Sequence, residues 1–324
     1  MKVLVTGGAG YIGSHAVYAL IEAGHEVVVV DNLVTGHRGD VHELATFYHG
    51  NIGDYPFMVD VLRREAVDGV IHFAAYSLVG ESMENPYKYY ENNVSATNKM
   101  LAAMAYVGVR HLVFSSTAAT YGNVDVEKIT EMTPTKPTNT YGQTKLAMEH
   151  MIGWYSVAHG INFVALRYFN VAGAHASGKI YEKHEPETHL IPLVLEVAAG
   201  KREQISIFGD DYDTPDGTCI RDYIHVCDLA EAHILAMAHL IDGGFSTVCN
   251  LGNGDGYSVR EVIEAARAVT NHPIPAVVAP RRMGDPAKLV ASSAQARQIL
   301  GWVPEQPGIK EMIESAWKGT YQQG

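Results

Sequence analysis

Thr6-Gly7-Gly8-Ala9-Gly10-Tyr11-Ile12-Gly13 decides how this 324-residue chain is read. Lys2–Thr6, just before and into it, has the β-branched, apolar character of a buried strand. Ile12, Ala16, Ala19, Leu20 and Ala23 then recur at helical spacing, and Gly24 closes the helix. Between strand and helix, glycines at 7, 10 and 13 permit a tight turn, close approach of the backbone to a pyrophosphate, and close helix–strand packing. Free N–H groups and the dipole at the helix start favour that anion. Asp31 ends the next apolar strand, Glu26–Val30, 18 residues after Gly13. A carboxylate there suits both hydroxyls of an adenosine ribose and repels a 2′-phosphate, so NAD is expected rather than NADP. Arg38 lies nearby in a loop, and the strand-end carboxylate outweighs it.

The alternation continues outward. Phe47–His49, Val70–Phe73, Leu112–Phe114 and Asn162–Leu166 read as further strands. Helical spacing marks Val59, Leu62 and Ala66, the stretch Val94–Tyr106, and Gly142–His159. This pitch implies right-handed crossovers and a parallel sheet covered on both faces. The expected class is α/β, a Rossmann-like doubly wound parallel sheet with a smaller C-terminal lobe. The rhythm breaks near residue 170, where turn clusters such as Gly209-Asp210-Asp211 and Asn253-Gly254-Asp255-Gly256 intervene. We therefore divide the chain into a dinucleotide-binding domain, 1–170, and a lobe, 171–324, with some chain crossing back to the sheet.

Charge and composition exclude other classes. Lys plus Arg is 24 against 36 for Asp plus Glu, a net charge of −12 with no basic cluster, so no nucleic-acid partner is expected. Apolar runs such as Val27–Val30 fall far short of the ~20 residues a membrane span needs. The N-terminal stretch lacks a signal-peptide pattern, and a cytoplasmic protein without a membrane partner is expected. Cys219, Cys227 and Cys249 are too scattered for a disulfide framework and read as free thiols. His175, His184 and His189 share a loop region, with no carboxylate or cysteine at ligand spacing on a common element, so no metal is expected.

Tyr141-Gly142-Gln143-Thr144-Lys145 opens a helix after the Pro134–Thr140 loop. Residues four apart share a helix face. Lowering a tyrosine from pKa ~10 to ~7 takes about 4 kcal/mol. One positive charge ~6 Å away, at an effective dielectric of ~20, supplies about 3 kcal/mol. Lys145 and the positive ring of oxidised NAD are expected to make Tyr141 a base near neutral pH. Ser115-Ser116-Thr117 ends a strand beside them, and Thr117 is expected to relay the substrate hydroxyl proton to Tyr141.

These features resemble the extended short-chain dehydrogenase/reductase superfamily. His72-Phe73-Ala74-Ala75, Tyr90-Glu91-Asn92-Asn93, Arg167-Tyr168-Phe169-Asn170, Ile207-Phe208-Gly209-Asp210-Asp211-Tyr212, Gly217–Val226 and Arg281-Arg282-Met283-Gly284-Asp285 are similar, more closely, to the UDP-glucose 4-epimerase family. The resemblance runs from Lys2 to about Trp302. It implies inversion at C4 of a UDP-hexose through a transient 4-ketose, with Tyr141 as base and NAD as hydride carrier. It further implies that Gly7, Gly10, Tyr11, Ile12 and Gly13 line the NAD pyrophosphate. Asn32, Thr35 and Gly36 then border the adenosine ribose, and Asn51 and Ile52 the adenine. Phe73, Ala74, Ala75, Ser77, Asn93, Ser115 and Phe169 flank the remaining half. Asn170, Arg221 and Arg282 would take the substrate diphosphate. His189, Leu190, Ile205, Ile207 and Phe208 would frame the uracil, with Asp285 on its ribose. A homodimer is implied, pairing the Val94–Tyr106 and Gly142–His159 helices across a two-fold axis.

The sequence departs from the family at several points. Ser77 stands where some members have lysine, Thr117 where many have serine, and His189 where asparagine is frequent. Leu289 aligns with a position beside the sugar 2-substituent where a tyrosine is associated with exclusion of N-acetylated sugars. Its smaller side chain implies some activity on UDP-N-acetylhexosamines. A nucleotide-sugar 4,6-dehydratase would need a carboxylate after Thr117, where Ala118-Ala119 stand. A non-catalytic NAD-sensing protein would have no need of Tyr141 and Lys145.

Overall fold

The computed structural model describes residues 1–282 and 285–322. Seven parallel strands make the central sheet: β1 (Lys2–Thr6), β2 (Glu26–Asp31), β3 (Thr46–His49), β4 (Gly69–His72), β5 (His111–Thr117), β6 (Asn162–Tyr168) and β7 (Thr247–Leu251). Their order is β3-β2-β1-β4-β5-β6-β7. Strand order reverses between β1 and β4, and the crevice at the carboxyl ends of such a pair is where open α/β sheets take ligands. Thr6, the last residue of β1, pairs with Val30 on one side and His72 on the other.

The helices that cover the sheet are α1 (Tyr11–Glu22), α2 (Tyr55–Glu65), α3 (Ala96–Val107), α4 (Thr140–His159) and, from the second half of the chain, α6 (Val226–Ile241). Side chains alternate along a strand, so the unbroken Val27–Val30 run feeds both faces. Val27 and Val29 join Val17 and Leu20 of α1 and Met237 and Leu240 of α6. Val28 and Val30 join Leu62 of α2, Met100 and Met104 of α3, and Met148 and Ile152 of α4. Each such fully buried aliphatic side chain contributes about 1.5–3 kcal/mol. A third core lies in the lobe, among α5 (Leu190–Ala198), α7 (Val259–Thr270) and α8 (Ile309–Tyr321).

The second half crosses back to the main sheet, where β7 extends it beside β6 and α6 packs against its face. One sequence boundary needs correction. The helix expected from Val94 instead begins as one π-helical turn, Tyr90–Ser95, and becomes α-helical at Ala96. The three cysteines are free thiols, two of them buried.

Candidate active site

The cradle is built by glycine geometry. Gly7 has φ +74°, and a Cβ there would stand 2.6 Å from the backbone nitrogen of Ala74; one on Gly13 would stand 2.1 Å from the Gly7 carbonyl oxygen. Only the missing side chains let β1, β4 and α1 converge. At the start of α1, Gly10 provides no side-chain cap and no acidic residue lies in the first turn. That helix end is therefore left to a ligand anion. Beneath it, the His72 ring contacts Thr6 Oγ1 at 2.6 Å and Thr97 Oγ1 at 2.9 Å. Burial lowers its pKa to about 3, so a neutral imidazole locks the strand ends to α3.

Asp31 is buried at the end of β2. Its carboxylate accepts from the backbone N–H of Ala9 at 3.0 Å and of Leu33 at 2.8 Å. Two contacts leave lone pairs free for a diol. The cradle and this carboxylate fit the adenosine diphosphate half of NAD.

The catalytic pair is set by a close approach of backbones. The side chain of Asn139 caps α4 by accepting from Gly142 N at 2.8 Å. A Cβ on Gly142 would lie 2.5 Å from the Ala119 carbonyl oxygen, so only glycine lets α4 start against the turn that follows β5. Tyr141 is thereby placed beside Thr117. Burial raises the Tyr141 pKa to about 12, and a hydrogen bond with Thr117 opposes the rise. Lys145 is buried, its ammonium donating to the Ser115 carbonyl at 2.8 Å, with the Phe114 ring 5.0 Å away. Burial lowers its pKa to about 7, while Glu149 one turn further on opposes the fall. The protein alone thus leaves Tyr141 above neutrality, and the positive ring of oxidised NAD, already part of the charge sum from the sequence, is needed beside Lys145. Desolvation raises the energy to be recovered to about 7 kcal/mol, against the ~4 kcal/mol of an unburied phenol.

One cleft of about 960 Å³, counted to its open mouth, gathers most of the expected residues. Gly7, Gly10, Tyr11, Ile12, Gly13, Asp31, Asn32, Thr35, Asn51 and Ile52 line its adenosine half, and Phe73, Ala74, Ala75, Ser77, Ser115, Tyr141 and Lys145 the other. Gly36, Asn93 and Phe169 are not among its lining residues. Gly36 packs against Ala9. Asn93 is fully buried behind the wall, where its amide bonds the backbone of Tyr76 in both directions and donates to Thr144 Oγ1. The cleft also takes in Tyr76, Asn92 and Tyr168, which sequence reasoning gave no cofactor role, and His184, which it weighed only as a metal ligand. Tyr168 shares a 2.5 Å hydrogen bond with Ser115 Oγ. It stands in the string Arg167–Asn170, so its place at the end of β6 was the available signal.

Toward the lobe, Asn170 donates to the Asp222 carbonyl at 3.1 Å. Arg221 donates to the carbonyls of Ile220 and Pro286 and meets Asp285 at 3.3 Å. Leu289 pairs in register with Arg221. The guanidinium of Arg282 stacks 4.0 Å over the Phe208 ring. Met283 and Gly284 of the same string lie outside the described residues. The expected nucleotide wall needs one correction: Ile205 and Ile207 point into the lobe core, each 4% exposed. Strand alternation turns Phe208 to the other face. Leu190 opens α5, packed partly on that core, and His189 precedes it as an exposed residue. Of the three histidines considered for a metal, His184 and His189 lie beside Glu182 and Glu187 in space, while His175 lies apart against Glu22.

The model of the NAD dependent epimerase/dehydratase family matches residues 3–252. A UDP-glucose 4-epimerase of Halalkalibacterium halodurans is 57% identical over 317 residues, 98% of this chain and 95% of that one. Among solved structures, a crystal structure of UDP-glucose 4-epimerase superposes with TM-score 0.98 at 57% identity, covering 100% of this chain and 98% of the other. The UDP-glucose 4-epimerase from Brucella ovis, crystallised in complex with NAD, superposes with TM-score 0.95 at 46% identity, covering 98% and 97%. The chain belongs to the NAD dependent epimerase/dehydratase family and, within it, to the UDP-glucose 4-epimerases.

Proposed function

We propose that this enzyme interconverts UDP-galactose and UDP-glucose by inverting C4, with Tyr141 as the acid–base group. The observation that carries this reading is one cleft joining the glycine cradle and Asp31 to Tyr141, Lys145 and Ser115. NAD bound there supplies a reversible oxidation–reduction at a single carbon, with no net redox change. Gly7, Gly10 and Gly13 admit its diphosphate, and Asp31 holds its adenosine ribose. Tyr141 takes the proton of the sugar 4-hydroxyl and returns it after the ring has turned over. Thr117 bonds the same hydroxyl and passes its proton to Tyr141. Lys145 steadies the phenolate, and its bond to the Ser115 carbonyl fixes it on β5.

Asn170, Arg221 and Arg282 take the substrate diphosphate as charge-assisted donors. The nucleotide is the anchor, and binding energy from that remote group serves reaction at a loosely held ring. Phe208 under Arg282 offers the flat surface for the base. Leu289, beside Arg221, leaves room for an N-acetylated sugar. The protein acts as a homodimer: Tyr90, Tyr106, Trp154 and Val157 expose apolar surface on and beside α3 and α4, which pair in one chain through Tyr155 and Asn98. The same pair from a second copy makes a four-helix bundle. The test is Tyr141→Phe. It should lose about 10²- to 10⁴-fold in kcat with its NAD content unchanged. Turnover close to the parent's would remove Tyr141 from the chemistry.

A further inference from the structure

The segment joining the strand Asn170–Ala172 to α5 carries Glu182, His184, Glu187 and His189. One ligand atom from each, two imidazole nitrogens and two carboxylate oxygens, lie within 4.8 Å of one another. We propose that these four side chains form a closed site for one divalent ion of the zinc class, which pins this loop across the mouth of the cofactor cleft.

The donor set is the first argument. Four protein ligands of imidazole and carboxylate type make a complete tetrahedral zinc shell, with bonds of about 2.0–2.2 Å. Donors on such a shell stand roughly 3.3–3.6 Å apart, so closure asks only small side-chain movements. Mixed nitrogen and oxygen donors favour zinc over calcium or magnesium, which take oxygen.

Burial is the second argument. The side chains of Glu187 and Glu182 are 9% and 11% exposed. The four groups stand as two carboxylate–imidazole pairs, Glu182 with His184 and Glu187 with His189, gathered round one centre. Glu187 meets His189 at 2.7 Å. Glu182 Oε1 and His184 Nδ1 are buried atoms that face each other directly.

Position gives the site its consequence. His184 also lines the cofactor cleft, and His189 leads directly into α5. Lys183, between two of the ligands, ties the loop to Asp40 at 2.5 Å. With all four positions filled by protein, the ion has no vacancy for substrate and is structural rather than Lewis-acidic. It holds one wall of the cleft at the spacing that the cluster sets.

The test uses the full chain prepared without a polyhistidine tag, stripped with a chelator and reloaded with Zn²⁺. Metal analysis after desalting should give one zinc per chain. Glu182→Gln and Glu187→Gln should bind Zn²⁺ at least about 10-fold more weakly in competition with a chromophoric chelator, the loss that even an outer partner of a ligand causes. Trypsin cleavage at Lys179 and Lys183 should slow with Zn²⁺ in the parent and not in the variants. Co²⁺ in the unmutated protein separates ligation from misfolding, because four-coordinate cobalt has intense visible bands. The proposal is overturned if the parent retains no more zinc than the variants, or if its cobalt spectrum is only that of the hydrated ion.

Discussion

Replacing Lys145 by methionine removes a buried amine, which burial holds near a pKa of about 7 and which pairs as ammonium with the phenolate, while keeping most of the side-chain volume. Lys145 is buried and stands four residues after the half-buried Tyr141 on α4. Burial pushes the Tyr141 phenol to about 12. Working at pH 7 therefore asks for about 5 units, or about 7 kcal/mol. At the ~6 Å separation of residues four apart, and an effective dielectric of ~20, a lysine ammonium supplies about 3 kcal/mol of that. The remainder is the share left to the positive charge of oxidised NAD. Losing the lysine should raise the apparent pKa of the acidic limb of the kcat profile by about 2 units. Near neutrality that is roughly a 100-fold loss, recovered in part as pH rises. The assay is a coupled turnover of UDP-galactose across the pH range, on protein whose NAD content is measured first. Methionine also leaves the Ser115 carbonyl without its donor, at about 1–3 kcal/mol, so a thermal melt accompanies the kinetics. An unmoved pH profile at full NAD occupancy would refute the electrostatic reasoning. A loss of the same size at every pH would do so equally, and would leave Lys145 a positional role only.

Further outcomes follow from the same geometry. Gly13→Ala, whose Cβ would lie 2.1 Å from the Gly7 carbonyl, should weaken NAD binding by roughly 10- to 100-fold in calorimetry. Parent-like affinity would mean the cradle does not hold the diphosphate. Leu289→Tyr should lower activity on UDP-N-acetylglucosamine by about 10-fold or more while sparing UDP-galactose. Equal rates for variant and parent on the acetylated sugar would end the volume argument. Trp154→Glu, at a position 73% exposed on α4, should convert a dimer to a monomer by light scattering. An unchanged mass would place any interface elsewhere.

What the sequence discloses, and what it conceals, follows from how local each feature is. The cradle is written in one strand, one turn and one helix start, so Gly7, Gly13 and Asp31 were readable from spacing alone. Tyr141 and Lys145 share a single helix face and were readable for the same reason. The size of the desolvation was not, because it depends on other strands that bring Thr117 and Tyr168 beside Tyr141. Ile205 and Ile207 resemble lining residues and core residues equally, since a four-residue strand has no context to orient its alternation. Asn93 sits in a π-helical turn that no periodicity announces, and it bonds Tyr76 behind the wall. Glu182 and Glu187 reach His184 and His189 through an irregular loop, where ligand spacing on a regular element is no guide. Strand β7 returns to the sheet from far along the chain, so the sequence could say that some chain crosses back without saying which segment does.

The central claim is epimerisation without net redox, and a proton NMR time course of UDP-galactose with the purified protein and catalytic NAD tests it most directly. The account predicts a mixture of UDP-galactose and UDP-glucose at equilibrium, with no accumulation of NADH. Unchanged UDP-galactose on folded, NAD-loaded protein would contradict it, as would a 6-deoxy-4-keto product.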